Sequence, residues 1–193
     1  MVKIDLITGF LGSGKTTFLK KYAKRLMEQG QNIGILENYF GAVNVDMMLL
    51  QELEGEQCEL EMISGGCDPE THRRRFRTKL IAMGMCGYDR VIVEPSGIYD
   101  MDEFFDVLHE EPLDQWYEIG SVITIMNAKL EDTLSEEAEY LLASEAANAG
   151  CIVLSRGQDA SPEEIAKTRA HLNCALQAVH CSRQFGEIGR AHV

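Results

Sequence analysis

Residues 9–16, near the start of the chain, have the composition of a phosphate-binding loop. They read G-F-L-G-S-G-K-T and match the pattern G-x-x-x-x-G-K-[ST]. In such a loop the backbone N–H groups converge on phosphate oxygens, the lysine brings a positive charge to the β- and γ-phosphates, and the hydroxyl is a hard oxygen ligand for Mg²⁺. We therefore predict a phosphate and magnesium site built from Gly9, Gly12, Ser13, Gly14, Lys15 and Thr16.

The segments around this loop predict an α/β domain. Short apolar runs indicate strands at residues 3–8, 32–36, 90–94, 122–126 and 151–154, and amphipathic runs indicate helices at 15–29, 69–85, 102–110, 135–148 and after Ser161. Residues 37–66 are predicted to be irregular, with a short helix near 47–54. Strands that alternate with helices favour a doubly wound, mostly parallel sheet in a single domain over residues 1–187.

The composition restricts the partners and the location. The net charge is −13, which argues against nucleic acid as a partner, because a surface that binds a polyanion normally has a basic excess. The chain has neither a signal peptide nor an apolar run long enough for a membrane span, so we expect a cytoplasmic protein. In that compartment the six cysteines are better interpreted as free thiols or metal ligands than as disulfides.

The sequence around the loop, T-G-F-L-G-S-G-K-T-T-F-L, resembles the P-loop of the CobW/HypB/UreG family of metal-centre GTPases, and the similarity covers most of the chain. The resemblance implies a P-loop NTPase fold and adds Thr17 to the phosphate contacts. In that family the strand after the first switch ends in E-x-x-G, and this chain has E-P-S-G at 94–97. By resemblance, Glu94 acts at the Mg²⁺ ion and its waters, and the Gly97 N–H meets the γ-phosphate.

Residues 38–46 resemble the first switch of the family, N-E-F-G followed by I-D. Here the segment is N-Y-F-G and V-D, so Asp46 supplies the acidic residue that the resemblance places near Mg²⁺. Tyr39 replaces the usual glutamate, and Glu37 lies nearby as a substitute. The alternative is a surface loop in which Asp46 only caps a helix.

Guanine recognition is expected at residues 155–159. The family reads the base with N-K-x-D, and this chain has S-R-G-Q-D, so the resemblance assigns Ser155, Arg156 and Gln158 to the base. Gln158 offers one carbonyl acceptor, whereas a carboxylate accepts two hydrogen bonds, and Asp159 lies one residue late. We therefore predict GTP as the ligand, with relaxed specificity.

A transition-metal site is the least defined prediction. The metal-handling branch of the family has C-x-C-C between the two switches, and this chain keeps only Cys67. A mixed site could combine Cys67 with Cys58 and with a carboxylate or His72, and Zn²⁺ would suit such ligands. The alternative is that Cys67 is a small buried residue and that Asp68 caps the next helix.

The basic run H-R-R-R-F-R at residues 72–77 also allows two interpretations. It could supply an arginine to a nucleotide across a dimer interface, or it could be a solvated helix face that pairs with nearby acids.

Together these features predict slow, Mg²⁺-dependent GTP hydrolysis, with Lys15, Asp46 and Glu94 as the catalytic residues. The hydrolysis would be coupled to delivery of a metal or cofactor to a client metalloprotein. A P-loop kinase for a small molecule and a nucleotide-sensing switch with little hydrolysis are the alternatives. Residues 188–193, I-G-R-A-H-V, are what a common sequencing-adapter sequence encodes in frame. We expect them to be foreign to the natural protein, whose chain would continue beyond Gly186.

Overall fold

Seven parallel strands form one sheet in the computed structural model, which describes residues 1–10, 12–39, 45–64, 68–96, 101–130, 133–186 and 189–190. The strands are β1 (Val2–Thr8), β2 (Ile33–Tyr39), β3 (Cys58–Ser64), β4 (Arg90–Pro95), β5 (Tyr117–Asn127), β6 (Cys151–Ser155) and β7 (Gly189–Arg190). Their order is β3-β2-β4-β1-β5-β6-β7, and every pair of neighbouring strands is parallel. The predicted doubly wound α/β fold is confirmed. In the described part of the chain the sheet is entirely parallel.

Helices connect the strands. They are α1 (Lys15–Glu28), α2 (Val45–Leu50), α3 (Pro69–Gly84), α4 (Met101–Leu108), α5 (Leu113–Trp116), α6 (Glu136–Asn148) and α7 (Pro162–Ala178). Short 3₁₀ turns lie at Gln51–Leu53 and Gly157–Asp159. Helices α3 and α7 begin at the capping residues that the sequence indicates. The Asp68 side chain accepts a hydrogen bond from the Thr71 N–H at 2.8 Å, and Ser161 forms a capping box with Glu164. No helix among the described residues is both long and apolar enough to cross a membrane.

The core has two large parts, one built around α1 and the other around α3 and α4. The first joins Leu19, Ala23 and Leu26 of α1 to Ile35 of β2 and Ile92 of β4. The second packs residues of α3, α4 and α5 against the sheet, with the aromatic pair Phe76 and Phe104 fully buried. A third cluster holds α6 and α7 against β6.

The main differences from the sequence-based prediction lie in three segments. Residues 58–64, predicted to be irregular, form the edge strand β3, which pairs with β2 along its whole length. Strand β5 begins at Tyr117, five residues before the predicted start at Val122. Finally, the backbone of Gly189–Arg190 pairs with β6, within the segment predicted to be foreign. The origin of that segment stays a prediction.

A buried ion pair joins β1 to β4. Asp5 is fully buried, and Arg90 Nη1 donates to both of its carboxylate oxygens at 2.7 Å. The hydroxyl of Tyr22 and the N–H of Ser121 also donate to Asp5, at 2.8 and 2.7 Å. A buried charge with a complete set of donors is tolerated, whereas removal of one donor leaves it uncompensated. Burial, together with the charge of Asp5, raises the pKa of Tyr22 to about 12.

Candidate nucleotide-binding site

The loop between β1 and α1 needs glycine at its first position. Gly9 has a φ of 141°, a backbone conformation that residues with a side chain rarely adopt. A Cβ atom there would overlap the carbonyl oxygen of Ile125 in β5 and would lie 2.9 Å from Ser13 Oγ. The backbone that leaves β1 is therefore in close contact with β5, and the loop lies at the carboxyl ends of the strands.

The amino end of α1 is open for an anion. Helix α1 begins at Lys15, its N-cap Gly14 has no side chain to cap it, and its first turn contains no acidic residue. The first N–H groups of a helix have no partner within the helix and carry its positive dipole end, so they favour a bound phosphate. Lys15 is 8% exposed and its Nζ lies 3.5 Å from the Phe10 carbonyl oxygen, so the ammonium group is held over the loop.

Buried oxygen ligands lie next to this end of the helix. The Thr16 hydroxyl donates to Glu94 Oε1 at 2.7 Å, and both side chains are buried. Glu37 in β2 is 3% exposed and is the register partner of Glu94 in β4, so the two carboxylates lie side by side on one face of the sheet. A hydroxyl and two carboxylates are hard oxygen donors of the kind that Mg²⁺ prefers. The residues present therefore fit a magnesium ion.

The ends of β2 and β4 are also joined through Asn38. Its carbonyl oxygen accepts a hydrogen bond from the Ser96 N–H at 2.9 Å. Its side-chain amide is fully buried, and neither the nitrogen nor the oxygen of that amide has a hydrogen-bond partner among the described residues. The predicted first switch, which follows β2, and the segment with the E-P-S-G motif, which follows β4, thus begin from adjacent strand ends. Gly97 and the side chain of Asp46 lie outside the described residues.

The predicted base-reading segment follows β6 and borders the loop. Ser155 is buried, and its side chain lies beside Gly14, since a Cβ atom on Gly14 would lie 3.6 Å from Ser155 Cβ. Arg156 has a positive φ of 54°, and the 3₁₀ turn Gly157–Asp159 follows it. Arg156 and Gln158 are exposed. The segment is therefore near the loop, with two side chains accessible to a ligand.

Glu145 of α6 is a site residue that the sequence analysis missed. It is 3% exposed, and the Thr8 hydroxyl donates to its Oε1 at 3.1 Å. Burial raises the pKa of Glu145 to about 7, against the opposing effects of the Thr8 hydrogen bond, the Lys15 charge and a hydrogen bond from the Gly9 backbone. Thr8 and Glu145 are 137 positions apart, and one glutamate among several in an acidic helix gives no signal in the sequence.

The metal-ligand candidates do not converge in the described residues. Cys58 is the first residue of β3, so the length of the strand, about 20 Å, separates it from the carboxyl ends of the strands, where the loop lies. Burial raises the pKa of Cys58 to about 11, which disfavours the thiolate that metals bind. The described part of the chain contains no group of three or more His, Cys, Asp or Glu side chains arranged to hold a metal. Cys67 and any site built on it lie outside that part.

The basic run on α3 forms local ion pairs. Arg73 and Arg77 lie on one face of the helix, and each contacts Glu110 at 2.8 Å. This is the arrangement expected of a solvated helix face, the second of the two interpretations given above.

Comparison with known proteins identifies the family. Residues 3–184 match the family described as "CobW/HypB/UreG, nucleotide-binding domain". The chain belongs to this family. The match covers the phosphate loop, the Thr16–Glu94 contact and the segment after β6, and it confirms the resemblance seen in the sequence. The chain is accordingly a nucleotide-binding domain of the P-loop NTPase class.

Curated relatives of this CobW/HypB/UreG domain include two zinc chaperones from Escherichia coli. YeiR is 27% identical over 164 residues, which are 84% of this chain and 49% of YeiR. YjiA is 28% identical over 134 residues, which are 66% of this chain and 41% of YjiA. The chain thus spans about half the length of the curated relatives that it matches.

Solved structures support the fold. The Zn(II)-bound YjiA GTPase from E. coli matches with a TM-score of 0.54 at 21% identity, over 89% of this chain and 54% of that one. The hydrogenase maturation factor HypB from Archaeoglobus fulgidus matches with a TM-score of 0.56 at 15% identity, over 99% of this chain and 81% of that one. At these identities the likeness concerns the fold alone.

Proposed function

We propose that this chain binds and hydrolyses GTP with Mg²⁺ and that the hydrolysis is coupled to delivery of a metal ion such as Zn²⁺. The observation that carries the proposal is the buried hydrogen bond from Thr16 to Glu94, with Glu37 beside it and Lys15 above the loop. It brings hard oxygen ligands to the amino end of α1, where the β- and γ-phosphates of a nucleotide would bind.

In this proposal the protein catalyses mainly by positioning and by neutralising charge. The N–H groups of the loop and Lys15 hold the phosphates, and Thr16 with Glu94 holds the magnesium ion. A bound Mg²⁺ supplies charge neutralisation on the phosphate oxygens. Asp46 and the Gly97 N–H complete the site in this hypothesis, with Thr17 as a further phosphate contact. Slow turnover is expected, because Arg73 and Arg77, from the run that could supply an arginine across a dimer interface, are paired with Glu110 instead.

Three further elements belong to the proposal. Ser155, Arg156 and Gln158 read the guanine base, from a segment that the structure places beside the loop. The cargo metal is a substrate held with the help of Cys67, a hypothesis supported by the names of the relatives, which are zinc chaperones. The recipient is a client metalloprotein in the cytoplasm, and a homodimer is a further hypothesis.

Phosphate release tests the hydrolysis. Wild-type protein with GTP and Mg²⁺ should release inorganic phosphate, and EDTA should abolish the release. Thr16→Ala should lower turnover at least tenfold, the scale of one charge-assisted contact. The matched control is Thr78→Ala, which removes an exposed hydroxyl that bonds only within α3. Equal rates for Thr16→Ala and Thr78→Ala would contradict the assignment, and transfer of phosphate to a metabolite would indicate the kinase alternative.

Zinc affinity measured in two nucleotide states tests the coupling. With Mg²⁺ present, the dissociation constant for Zn²⁺ should differ between the complex with a non-hydrolysable GTP analogue and the complex with GDP, because only a differential affinity can couple two sites. Cys67→Ser should weaken zinc binding, whereas Cys86→Ser, a control at an exposed cysteine, should not. Equal zinc affinity in the two states would contradict coupled delivery while leaving hydrolysis intact.

A further inference from the structure

A cavity of about 290 Å³ lies beside the phosphate loop, between the loop, the end of β5 and α6. Gly12 and Ser13 of the loop form one wall. Glu145 and Leu142 of α6 form another, and Met126 of β5 contributes to the lining. Ligand pockets begin at about this volume.

This cavity adjoins the proposed nucleotide site and overlaps it only in the phosphate loop. Its lining contains neither Lys15 nor Thr16, which face the phosphates, and it contains neither Glu94 nor Ser155. The two sites share only the Gly12–Ser13 segment and Phe10 of the loop. A molecule in the cavity would therefore contact the loop from the side of β5 and α6.

Two buried polar atoms in the lining lack partners. Ser13 Oγ and Glu145 Oε2 belong to side chains that are 5% and 3% exposed, and neither atom has a hydrogen-bond partner among the described residues. Buried polar atoms almost always have a hydrogen-bond partner, so two unpartnered polar atoms in one cavity indicate a missing donor or ligand. Lys129 also lines the cavity, but its ammonium group is exposed and pairs with Glu164 at 3.4 Å.

The charge of Glu145 is therefore only partly compensated. Oε1 accepts from Thr8, and the Gly9 backbone and the Lys15 charge also act on the carboxylate, but burial still dominates. Oε2 borders a cavity whose remaining walls are mainly apolar, from Leu130, Leu134 and Leu142. A cationic donor at Oε2 would form a charge-assisted hydrogen bond in a poorly solvated place, where such bonds are strong. An aliphatic tail would bury apolar surface against the leucines.

We propose that this cavity binds a small organic cation of the alkylammonium class, with its ammonium group between Glu145 Oε2 and Ser13 Oγ and its aliphatic part against the leucines. The proposal does not depend on bound nucleotide, because Glu145, which supplies the negative charge, lies outside the phosphate loop, although Ser13 belongs to both sites.

Binding of n-butylammonium to the nucleotide-free protein tests the proposal, with 1-butanol as the neutral probe of matched shape. Wild-type protein should bind n-butylammonium saturably by calorimetry or ligand-observed NMR, roughly tenfold or more tightly than 1-butanol, the effect of one charge-assisted hydrogen bond. Glu145→Gln keeps the shape of the side chain and removes its charge, so it should abolish this preference. Glu137→Gln, on the exposed first turn of α6, is the matched control and should retain it.

A second variant closes the cavity without touching the carboxylate. Leu134 is half-buried at the wall, and Leu134→Trp should block both probes while the free energy of unfolding stays close to that of the wild type. Three results would overturn the proposal: no saturable binding of n-butylammonium to the wild type, equal affinity for wild type and Glu145→Gln, or binding that Leu134→Trp leaves unchanged.

Discussion

Gly9→Ala should destabilise the domain more than Gly30→Ala, because Gly9 combines a left-handed backbone conformation with a close approach to β5. An alanine in a strained backbone region costs about 1–3 kcal/mol, and the φ of 141° at Gly9 lies in such a region. The new Cβ would also overlap the Ile125 carbonyl oxygen, and overpacking adds about 1–3 kcal/mol because backbone must move. The expected loss in the free energy of unfolding is therefore roughly 2–6 kcal/mol.

Gly30→Ala is the matched control. Gly30 follows α1 with a φ of 79°, but a Cβ atom there would meet nothing within 4 Å, so only the left-handed conformation is penalised, by about 1–2 kcal/mol. Urea denaturation of the wild type and both variants, followed by circular dichroism, measures the two losses. If Gly9→Ala lost no more than Gly30→Ala, the close approach of the loop to β5 would be refuted.

Three further predictions concern the buried carboxylate, the base and the C-terminal residues. The folded-state pKa of Glu145 is raised to about 7 from 4.5, so the folded protein binds the proton more tightly, and its free energy of unfolding should fall by up to about 3 kcal/mol as pH rises across that window. Urea titrations at pH 5 and pH 7.5 should show this fall in the wild type and a smaller one in Glu145→Gln. Gln158→Asp should increase the preference for GTP over ITP about tenfold, because a carboxylate accepts both guanine donors, and an unchanged ratio of dissociation constants would indicate Asp159 instead. Deletion of residues 188–193 should shift the melting temperature by less than about 2 °C, because only two residues of β7 pair with β6, and a larger drop would show that the segment is docked.

The fold was predictable from the sequence where a signal is local. The phosphate loop, the caps at Asp68 and Ser161 and the apolar run of β4 each depend on neighbouring residues, and the structure places helices and a strand there as predicted. Strand β3 was missed because it lies at the edge of the sheet. Its sequence, C-E-L-E-M-I-S, alternates apolar and acidic residues only from Cys58 to Met62, and its two glutamates make it less apolar than the central strands, since charge is tolerated on an edge strand.

The candidate site was predictable only where a motif defines it. Lys15, Thr16 and Glu94 come from two short motifs, and the structure joins two of them, Thr16 and Glu94, in one buried hydrogen bond. Glu145 could not be found in that way, because its role depends on α6 packing under the loop that follows β1. The ion pair of Asp5 with Arg90 has the same origin, since 85 positions separate the two residues. Contacts of this kind depend on sheet order, which a single sequence does not show.

Calorimetric titration with Mg·GTP tests the central claim most directly, with wild-type protein, Lys15→Ala and Lys24→Ala. Lys24 is an exposed lysine on the same helix that pairs with Glu52, so its variant controls for the loss of one positive charge from α1. We expect the wild type and Lys24→Ala to bind alike. Lys15→Ala should bind at least tenfold more weakly with an unchanged melting temperature, because we propose Lys15 as a phosphate ligand and it belongs to none of the three core clusters. Equal affinities of Lys15→Ala and the wild type would contradict the assignment of this loop as the nucleotide-binding site.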